Sequence, residues 1–151
     1  MRRSLYILLF IPVVALVVAG CSQHSNKKKE QIAGDKSNTG NRSVLLDIDN
    51  FEAGFTSNPN AQLIDVRTPE EFSRGHLKGA ININYQGDEF TAEIAKLDKN
   101  KPTYVYCQSG GRSSEACKYL SNQNFANIYD MDGGFSKWSH YKKPIEISGG
   151  E

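Results

Sequence analysis

Short apolar runs alternate with amphipathic segments from residue 44 onward. Strands that alternate with helical segments are typical of a parallel sheet covered by helices on both faces. The pattern therefore predicts one α/β domain over residues 44–147, built on a five-stranded, mainly parallel sheet. The five runs with strand character are residues 44–46, 62–66, 80–83, 103–106 and 127–131.

Local signals place the starts of the helices. Thr68 precedes Pro69 and is followed three positions later by Glu71, which is the pattern of a capping box with proline in the first turn. Asp49 or Asn50 is the expected N-cap of an earlier helix. Further helices are expected over residues 89–96, 112–123 and 135–141.

The beginning of the chain follows a different pattern. Two arginines precede an apolar run over residues 5–20, which is shorter than the ~20 residues needed to cross a bilayer. The run ends in Val-Ala-Gly before Cys21, and this ending resembles the bacterial lipobox, in which the signal peptidase cuts before a lipidated cysteine. The resemblance predicts a signal peptide over residues 1–20 and a lipidated Cys21. A retained transmembrane helix and an ordinary signal with an incidental cysteine are the alternatives.

A flexible tether is expected between the lipidated Cys21 and the domain, over residues 21–43. Residues 22–42 contain no aromatic side chain and are rich in Ser, Asn, Lys and Gly, so they cannot bury enough surface to order themselves. Each buried acyl methylene contributes ~0.8 kcal/mol, so several chains on one cysteine anchor a protein stably. We therefore expect an extracytoplasmic protein, anchored by lipid to a membrane of the bacterial cell envelope.

Charge and cysteine content narrow the function classes. Residues 43–151 carry 11 basic and 15 acidic side chains, which disfavours nucleic acid as a partner. With Cys21 lipidated, only Cys107 and Cys117 remain, so no disulfide framework is implied. No spacing of His, Cys, Asp or Glu indicates a metal site.

The informative stretch is residues 107–113, Cys-Gln-Ser-Gly-Gly-Arg-Ser, which joins an apolar strand to the next helix. A cysteine on such a turn faces the positive end of the helix and several unpaired N–H groups, which favour the nucleophilic thiolate. Gly110 and Gly111 allow the backbone to curl its amides around a terminal sulfur or an oxyanion, and Arg112 adds a cation. The segment therefore predicts a cradle for negative charge around Cys107.

This segment resembles the active-site loop of the rhodanese family, in which a Cys, four intervening residues and an Arg form a loop of six. Related phosphatases and arsenate reductases have a loop that is one residue longer, so they are the disfavoured alternative. Two flanking motifs extend the resemblance: residues 65–80 are similar to the first signature of the family, and residues 131–138 are similar to its second.

The resemblance implies a single-domain, rhodanese-like fold and a sulfurtransferase that carries sulfur as a persulfide on Cys107. Arg112 is expected to stabilise the anionic substrate and the loop. The remaining substrate-binding loop residues would be Gln108, Ser109, Gly110, Gly111 and Ser113. A supporting framework of ion pairs and hydrogen bonds would come from Asp65, Arg67 and Glu71.

The implied cycle is a ping-pong reaction that needs no cofactor. A donor such as thiosulfate, polysulfide or a persulfide would give its sulfane sulfur to Cys107, and cyanide or a thiol would take it. His76 and Cys117 are expected to be structural, which disfavours a Cys–His hydrolase and a dithiol mechanism. A monomer is expected. The alternative from another class is a non-catalytic sulfur-binding or interaction module.

Overall fold

The computed structural model describes residues 43–147, in which strands and helices alternate along the chain. The strands are β1 (Val44–Leu46), β2 (Gln62–Asp65), β3 (Ile81–Asn82), β4 (Thr103–Tyr106) and β5 (Ile128–Met131). The helices are α1 (Ile48–Ser57), α2 (Pro69–Ser73), α3 (Phe90–Ala95), α4 (Gly111–Asn122) and α5 (Gly134–His140). Each predicted element is present, although the third strand is shorter than expected.

The strands form one sheet in the order β1-β5-β4-β2-β3. All four pairings are parallel, so the predicted mainly parallel sheet is confirmed and contains no antiparallel strand among residues 43–147. Because the strands run in one direction, their carboxyl ends lie along one edge, which is where ligands bind in open α/β sheets. The loops that lead into α2, α4 and α5 all leave from this edge.

Helices cover both faces of the sheet, as the sequence predicts. The face covered by α3 and α4, called here the α4 face, has a core of Ile64, Ile94, Val105, Leu120, Ile128 and their neighbours. The face covered by α1 and α5, called here the α5 face, has a core of Phe51, Leu63, Tyr104, Tyr106, Trp138 and their neighbours. The central strand β4 contributes to both cores because successive side chains of a strand point to opposite faces.

Helix α1 begins earlier than predicted. Its N-cap is Asp47 and not Asp49 or Asn50, and Asp47 Oδ1 accepts a hydrogen bond from the Asn50 N–H at 2.8 Å. The sequence Asp-Ile-Asp-Asn offers three capping side chains in four positions, so local chemistry does not choose among them. The start at Ile48 places that side chain in the core, where it is 3% exposed. Tertiary packing therefore selects the cap.

Helix α2 has the predicted capping box. Thr68 Oγ1 accepts a hydrogen bond from the Glu71 N–H at 3.3 Å, and Glu71 Oε2 accepts one from the Thr68 N–H at 3.0 Å. Pro69 occupies the first turn, where its missing N–H costs nothing. The box holds the Glu71 carboxylate at the edge of the sheet that carries the Cys107 loop.

The predicted signal peptide, the lipidation site Cys21 and residues 21–42 of the predicted tether lie outside the described residues. Between residues 43 and 147, no helix combines the length and the apolar character needed to cross a membrane. In the same range, no group of three or more His, Cys, Asp or Glu side chains is arranged to hold a metal ion.

Candidate active site

Cys107 directly follows β4, and α4 begins four residues later at Gly111. The N–H of Gly110 donates to Cys107 Sγ, with an N···S distance of 3.1 Å. Gly110 has φ = 102°, in the left-handed region that glycine adopts without steric cost. The sulfur thus lies at the amino end of a 12-residue helix, where an amide hydrogen and the helix dipole both favour negative charge.

The turn between β5 and α5 supports the loop from behind. The N–H of Phe135 donates to the Cys107 carbonyl at 2.8 Å, and the N–H of Ser136 donates to the Gln108 carbonyl at 2.9 Å. Gly134 has φ = 57°, and a Cβ at this position would collide with the Cys107 carbonyl oxygen. The segment over residues 131–138 therefore belongs to the site, a role that sequence reasoning did not assign. Its paired glycines are the signal of this close backbone approach.

Two predicted framework residues form a buried ion pair on the α5 face. Arg67 Nη2 donates to Asp65 Oδ2 at 2.6 Å, and Arg67 Nε donates to both carboxylate oxygens at 3.0 Å. Arg67 Nη2 also donates to the Gly75 carbonyl at 2.6 Å, and its guanidinium lies 3.9 Å from the centroid of the Phe135 ring. The arginine is thereby held in one position by hydrogen bonds and by stacking.

Gln108 connects this pair to the loop. Arg67 Nη1 donates to Gln108 Oε1 at 3.3 Å, and Gln108 Nε2 donates to Ser136 Oγ at 2.9 Å. The sequence predicted that Gln108 belongs to the loop and that Arg67 supports it, and the structure brings the two side chains together. The chain of bonds from Arg67 to Ser136 spans the front of the Cys107 loop.

The third framework residue pairs with the loop arginine. Arg112 Nη1 donates to Glu71 Oε2 at 2.6 Å, and Arg112 Nη2 donates to Glu71 Oε1 at 2.8 Å, so the pair is bidentate. Hydrogen bonds from Arg112 lower the pKa of Glu71 to about 2, and Glu71 in turn raises the pKa of Arg112. The capping box of α2 therefore anchors the cation at the end of the loop.

A second buried group lies behind the loop on the α4 face. The hydroxyl of Ser113 donates to the Gly110 carbonyl at 3.1 Å. Asp130 on β5 is 6% exposed, and in the described structure its Oδ1 has no hydrogen-bond partner. Burial raises the pKa of Asp130 to about 6, although Ser113 and the Met131 N–H act in the opposite direction. Sequence reasoning missed Asp130 because it lies within a strand selected for its apolar residues.

The two remaining candidates make structural contacts. Burial raises the pKa of the Cys117 thiol, and the charges of Asp130 and Cys107 act in the same direction. Cys117 is thus a protonated core side chain that belongs to the same buried cluster as Cys107 and Leu120. The His76 ring stacks on Phe72 at 3.8 Å, and its Nε2 lies 3.9 Å from a carboxylate oxygen of Glu146. These contacts favour the structural roles predicted for both residues.

A cleft of about 350 Å³ opens in front of the loop. The residues that line it are Arg67, Glu71, Arg74, Gln108 and Phe135. Ser109 and Gly111 are the exposed members of the loop, whereas Cys107 is only 1% exposed. Arg74 was not singled out by the sequence pattern, because it lies at the end of α2, away from the loop in the chain. Gln108 is the loop residue that lines the cleft, and it directly follows the recessed Cys107 in the chain.

Comparisons with known proteins agree with this geometry. The rhodanese-like domain family matches residues 36–141. The uncharacterized protein YqhL of Bacillus subtilis is 40% identical over 93 residues, which are 62% of this chain and 70% of YqhL. Thiosulfate sulfurtransferase GlpE of Stutzerimonas stutzeri is 37% identical over 97 residues, which are 63% of this chain and 86% of GlpE. GlpE of Vibrio cholerae is 36% identical over 105 residues, which are 69% of this chain and 97% of that protein.

Solved structures give the same result. The polysulfide-sulfur transferase homodimer of Wolinella succinogenes has a TM-score of 0.61 at 29% identity, covering 71% of this chain and 80% of that one. A rhodanese-related protein of Thermoplasma volcanium has a TM-score of 0.58 at 25% identity, covering 71% of this chain and 99% of that one. The family match, the relatives and the shared fold confirm the resemblance carried by the loop: the chain belongs to the rhodanese-like domain family.

Proposed function

We propose that the protein is a sulfurtransferase in which Cys107 carries sulfane sulfur as a persulfide. The observation that carries this proposal is the position of Cys107 Sγ, which accepts the Gly110 N–H at the amino end of α4. A terminal persulfide sulfur is an anion, and preorganised amides at a helix start stabilise an anion at no cost of reorganisation. Relatives that are named thiosulfate sulfurtransferases, and the similar polysulfide-sulfur transferase, support this reading.

The proposed cycle has two half-reactions. The Cys107 thiolate attacks the sulfane sulfur of thiosulfate, a new S–S bond forms, and sulfite leaves with the electron pair of the broken S–S bond. Cyanide then attacks the terminal sulfur of the persulfide, a C–S bond forms, and thiocyanate leaves as the thiolate is regenerated. A polysulfide can replace thiosulfate as donor, and a thiol can replace cyanide as acceptor. No oxidant is consumed and no cofactor is required.

The surrounding residues have distinct proposed roles. The Gly110 amide holds the reacting sulfur, and Arg112, oriented by Glu71, stabilises the anionic donor and the leaving sulfite. Asp65 and Arg67 hold the front of the loop in position through Gln108. The loop residues proposed to shape the binding site are Gln108, Ser109, Gly110, Gly111 and Ser113.

We also propose, on the pattern before Cys21, that the mature chain is lipidated there and anchored extracytoplasmically to a bacterial membrane. The domain would then act as a tethered monomer on small sulfur compounds, without nucleic acid as a partner. This proposal rests on the sequence of residues 1–42 alone.

One experiment tests both proposals. The full chain, purified from a bacterial envelope, is analysed by intact-mass spectrometry before and after treatment with thiosulfate or polysulfide. Before treatment, acyl mass is expected on the wild type and not on Cys21→Ser; an unmodified wild type would contradict the anchor. After treatment, we expect the wild type and the control Cys117→Ala to gain one sulfur atom that cyanide removes.

The variant Cys107→Ser is expected to gain no sulfur, because its hydroxyl cannot form a persulfide. A sulfur gain that survives in Cys107→Ser would refute Cys107 as the carrier. No gain on the wild type with either donor would favour the non-catalytic binding module.

A further inference from the structure

The three arginines near the cleft differ in how their charge is compensated. Arg67 forms an ion pair with Asp65, and Arg112 forms one with Glu71. Arg74 is exposed, and its Nε donates to the Glu70 carbonyl at 3.0 Å. Within residues 43–147, no carboxylate lies within ion-pair distance of Arg74. Arg74 is therefore the arginine of the cleft whose charge remains available.

The neighbours of Arg74 do not cancel this charge. Glu70, one turn earlier on α2, interacts electrostatically with Arg74 but lies beyond ion-pair distance and is itself exposed to water. Glu71, on the same short helix, is fully engaged by Arg112. The rim of the cleft therefore carries an uncompensated positive charge, although the domain as a whole has more acidic than basic side chains.

We propose that Arg74 determines donor specificity by attracting and orienting small anionic sulfane-sulfur donors in the cleft that it lines together with Gln108 of the Cys107 loop. This inference rests on the proposed sulfurtransferase function. The Cys107 loop contains one cation, Arg112, and that cation already has a carboxylate partner, so recognition of a doubly charged donor such as thiosulfate needs a second source of positive charge. Arg74 reaches the cleft from the C-cap of α2 and meets this need.

The two half-reactions should depend on Arg74 to different extents. Thiosulfate carries two negative charges, so its approach is favoured by the charge of Arg74 and weakened by salt. Cyanide at neutral pH is mostly uncharged HCN, so its approach is nearly independent of that charge. Arg74 is thus a specificity-determining residue for the donor, and its loss should not affect the chemistry at Cys107 itself.

Steady-state kinetics on the full chain test the proposal with Arg74→Gln, Arg74→Lys and the control Lys101→Gln. Lys101 is an exposed cation just before β4, at the opposite edge of the sheet. For Arg74→Gln we expect the KM for thiosulfate to rise about threefold to tenfold with little change in kcat, and the effect to shrink between about 10 mM and about 500 mM salt. Arg74→Lys should retain most of the wild-type behaviour, and kcat/KM for cyanide should be unchanged throughout.

Three results would overturn the proposal. The first is an unchanged KM for thiosulfate in Arg74→Gln. The second is an equal loss in the thiosulfate and cyanide half-reactions, which would indicate a general structural defect. The third is an equal effect in Lys101→Gln, which would indicate a response to net charge alone.

A binding measurement keeps this inference separate from the proposed function. Calorimetric titration of Cys107→Ser with thiosulfate measures donor binding without any sulfur transfer. We expect Arg74→Gln in this background to raise the Kd by a factor similar to the change in KM. Equal Kd values with and without Arg74, or no measurable thiosulfate binding to either protein, would overturn the role of Arg74 even if Cys107 forms a persulfide. A wild type that binds thiosulfate through Arg74 but forms no persulfide would instead overturn the transfer chemistry.

Discussion

Two buried carboxylates on β2 and β5, the two strands that flank β4 in the sheet, have opposite surroundings. Asp65 ends β2 on the α5 face and is 0% exposed, and Asp130 lies on β5 on the α4 face and is 6% exposed. Both oxygens of Asp65 accept hydrogen bonds from the Arg67 guanidinium. Asp130 faces no cation in the described structure, and its Oδ1 has no partner. The two carboxylates are therefore buried to a similar extent and differ in whether a cation compensates for the loss of water.

The Cys107 loop lies between these two regions. On the α5 face, the charge pair continues through Gln108 to Ser136 and fixes the front of the loop. On the α4 face, the Ser113 hydroxyl donates to the Gly110 carbonyl and lies beside Asp130, whose pKa is raised by burial to about 6. The first region holds a carboxylate with its cation, whereas the second holds a buried carboxyl group, Asp130, without one.

Removal of Arg67, the cation of the buried Asp65–Arg67 pair, should have the largest effect on stability. In Arg67→Ala the Asp65 carboxylate stays buried without its ion-pair partner, so we expect the free energy of unfolding to fall by about 3–5 kcal/mol. Urea denaturation followed by circular dichroism measures the change. The matched control is Arg74→Ala, an exposed arginine, which should stay within about 0.5 kcal/mol of the wild type. Similar losses in both variants would show that the buried pair is not the cause.

Replacement of the buried Asp130 carboxyl group, which has no cationic partner, should increase the free energy of unfolding. The pKa of Asp130 is raised from 3.8 to about 6, so between these values the unfolded chain ionises while the folded protein keeps its proton. Above pH ~6 the folded protein holds a buried charge at a cost of about 2–3 kcal/mol. Asp130→Asn should therefore be more stable than the wild type by about this amount at pH 8 and similar to it near pH 4.

Urea denaturation at the two pH values checks this prediction. The control is Asp88→Asn, an exposed aspartate away from β5, which should stay within about 0.5 kcal/mol of the wild type at both pH values. A stability difference between Asp130→Asn and the wild type that is the same at both pH values would contradict the titration of Asp130.

The partly exposed pair Glu71–Arg112 should give the smallest effect. Hydrogen bonds from Arg112 lower the pKa of Glu71 from 4.5 to about 2, so the pair stabilises the fold above pH ~4.5, and this contribution is lost as the pH falls through ~2. Because solvent screens the pair, we expect Glu71→Gln to lose about 1 kcal/mol at pH 7 and to match the wild type near pH 2. The exposed neighbour Glu70→Gln is the control, and a larger loss there than in Glu71→Gln would count against the pair. Chemical denaturation at both pH values provides the measurement.

Much of the fold follows from local signals in the chain. The apolar run at residues 103–106 forms β4 with the predicted bounds, and Thr68 caps α2 as its spacing with Glu71 indicates. Both depend on interactions between residues that are close in sequence. The predicted start of α1 was wrong. Three side chains within four positions could serve as its cap, and the burial of Ile48 decided among them.

In the site too, some residues could be identified from the local sequence and others could not. The loop from Cys107 to Arg112 was identifiable from its residues, and its glycines and helix start produce the bond from the Gly110 N–H to Cys107 Sγ across three positions. Asp130 was not identifiable, because a single acidic residue in an apolar run does not reveal which way it faces. Arg74 was not identifiable either, because its place on the cleft depends on how α2 sits against the loop.

By itself the sequence determined the α/β class and the family and predicted Cys107 as the candidate nucleophile, because hydrophobic periodicity, capping chemistry and loop sterics act over a few residues. Only the tertiary structure decided that Arg112 pairs with Glu71, 41 positions away, and that Gly134 lies against the Cys107 carbonyl. These contacts exist because β4 lies between β2 and β5, which brings three distant segments to one edge of the sheet. That strand order is set by the packing of the whole domain, and no short stretch of the chain contains it.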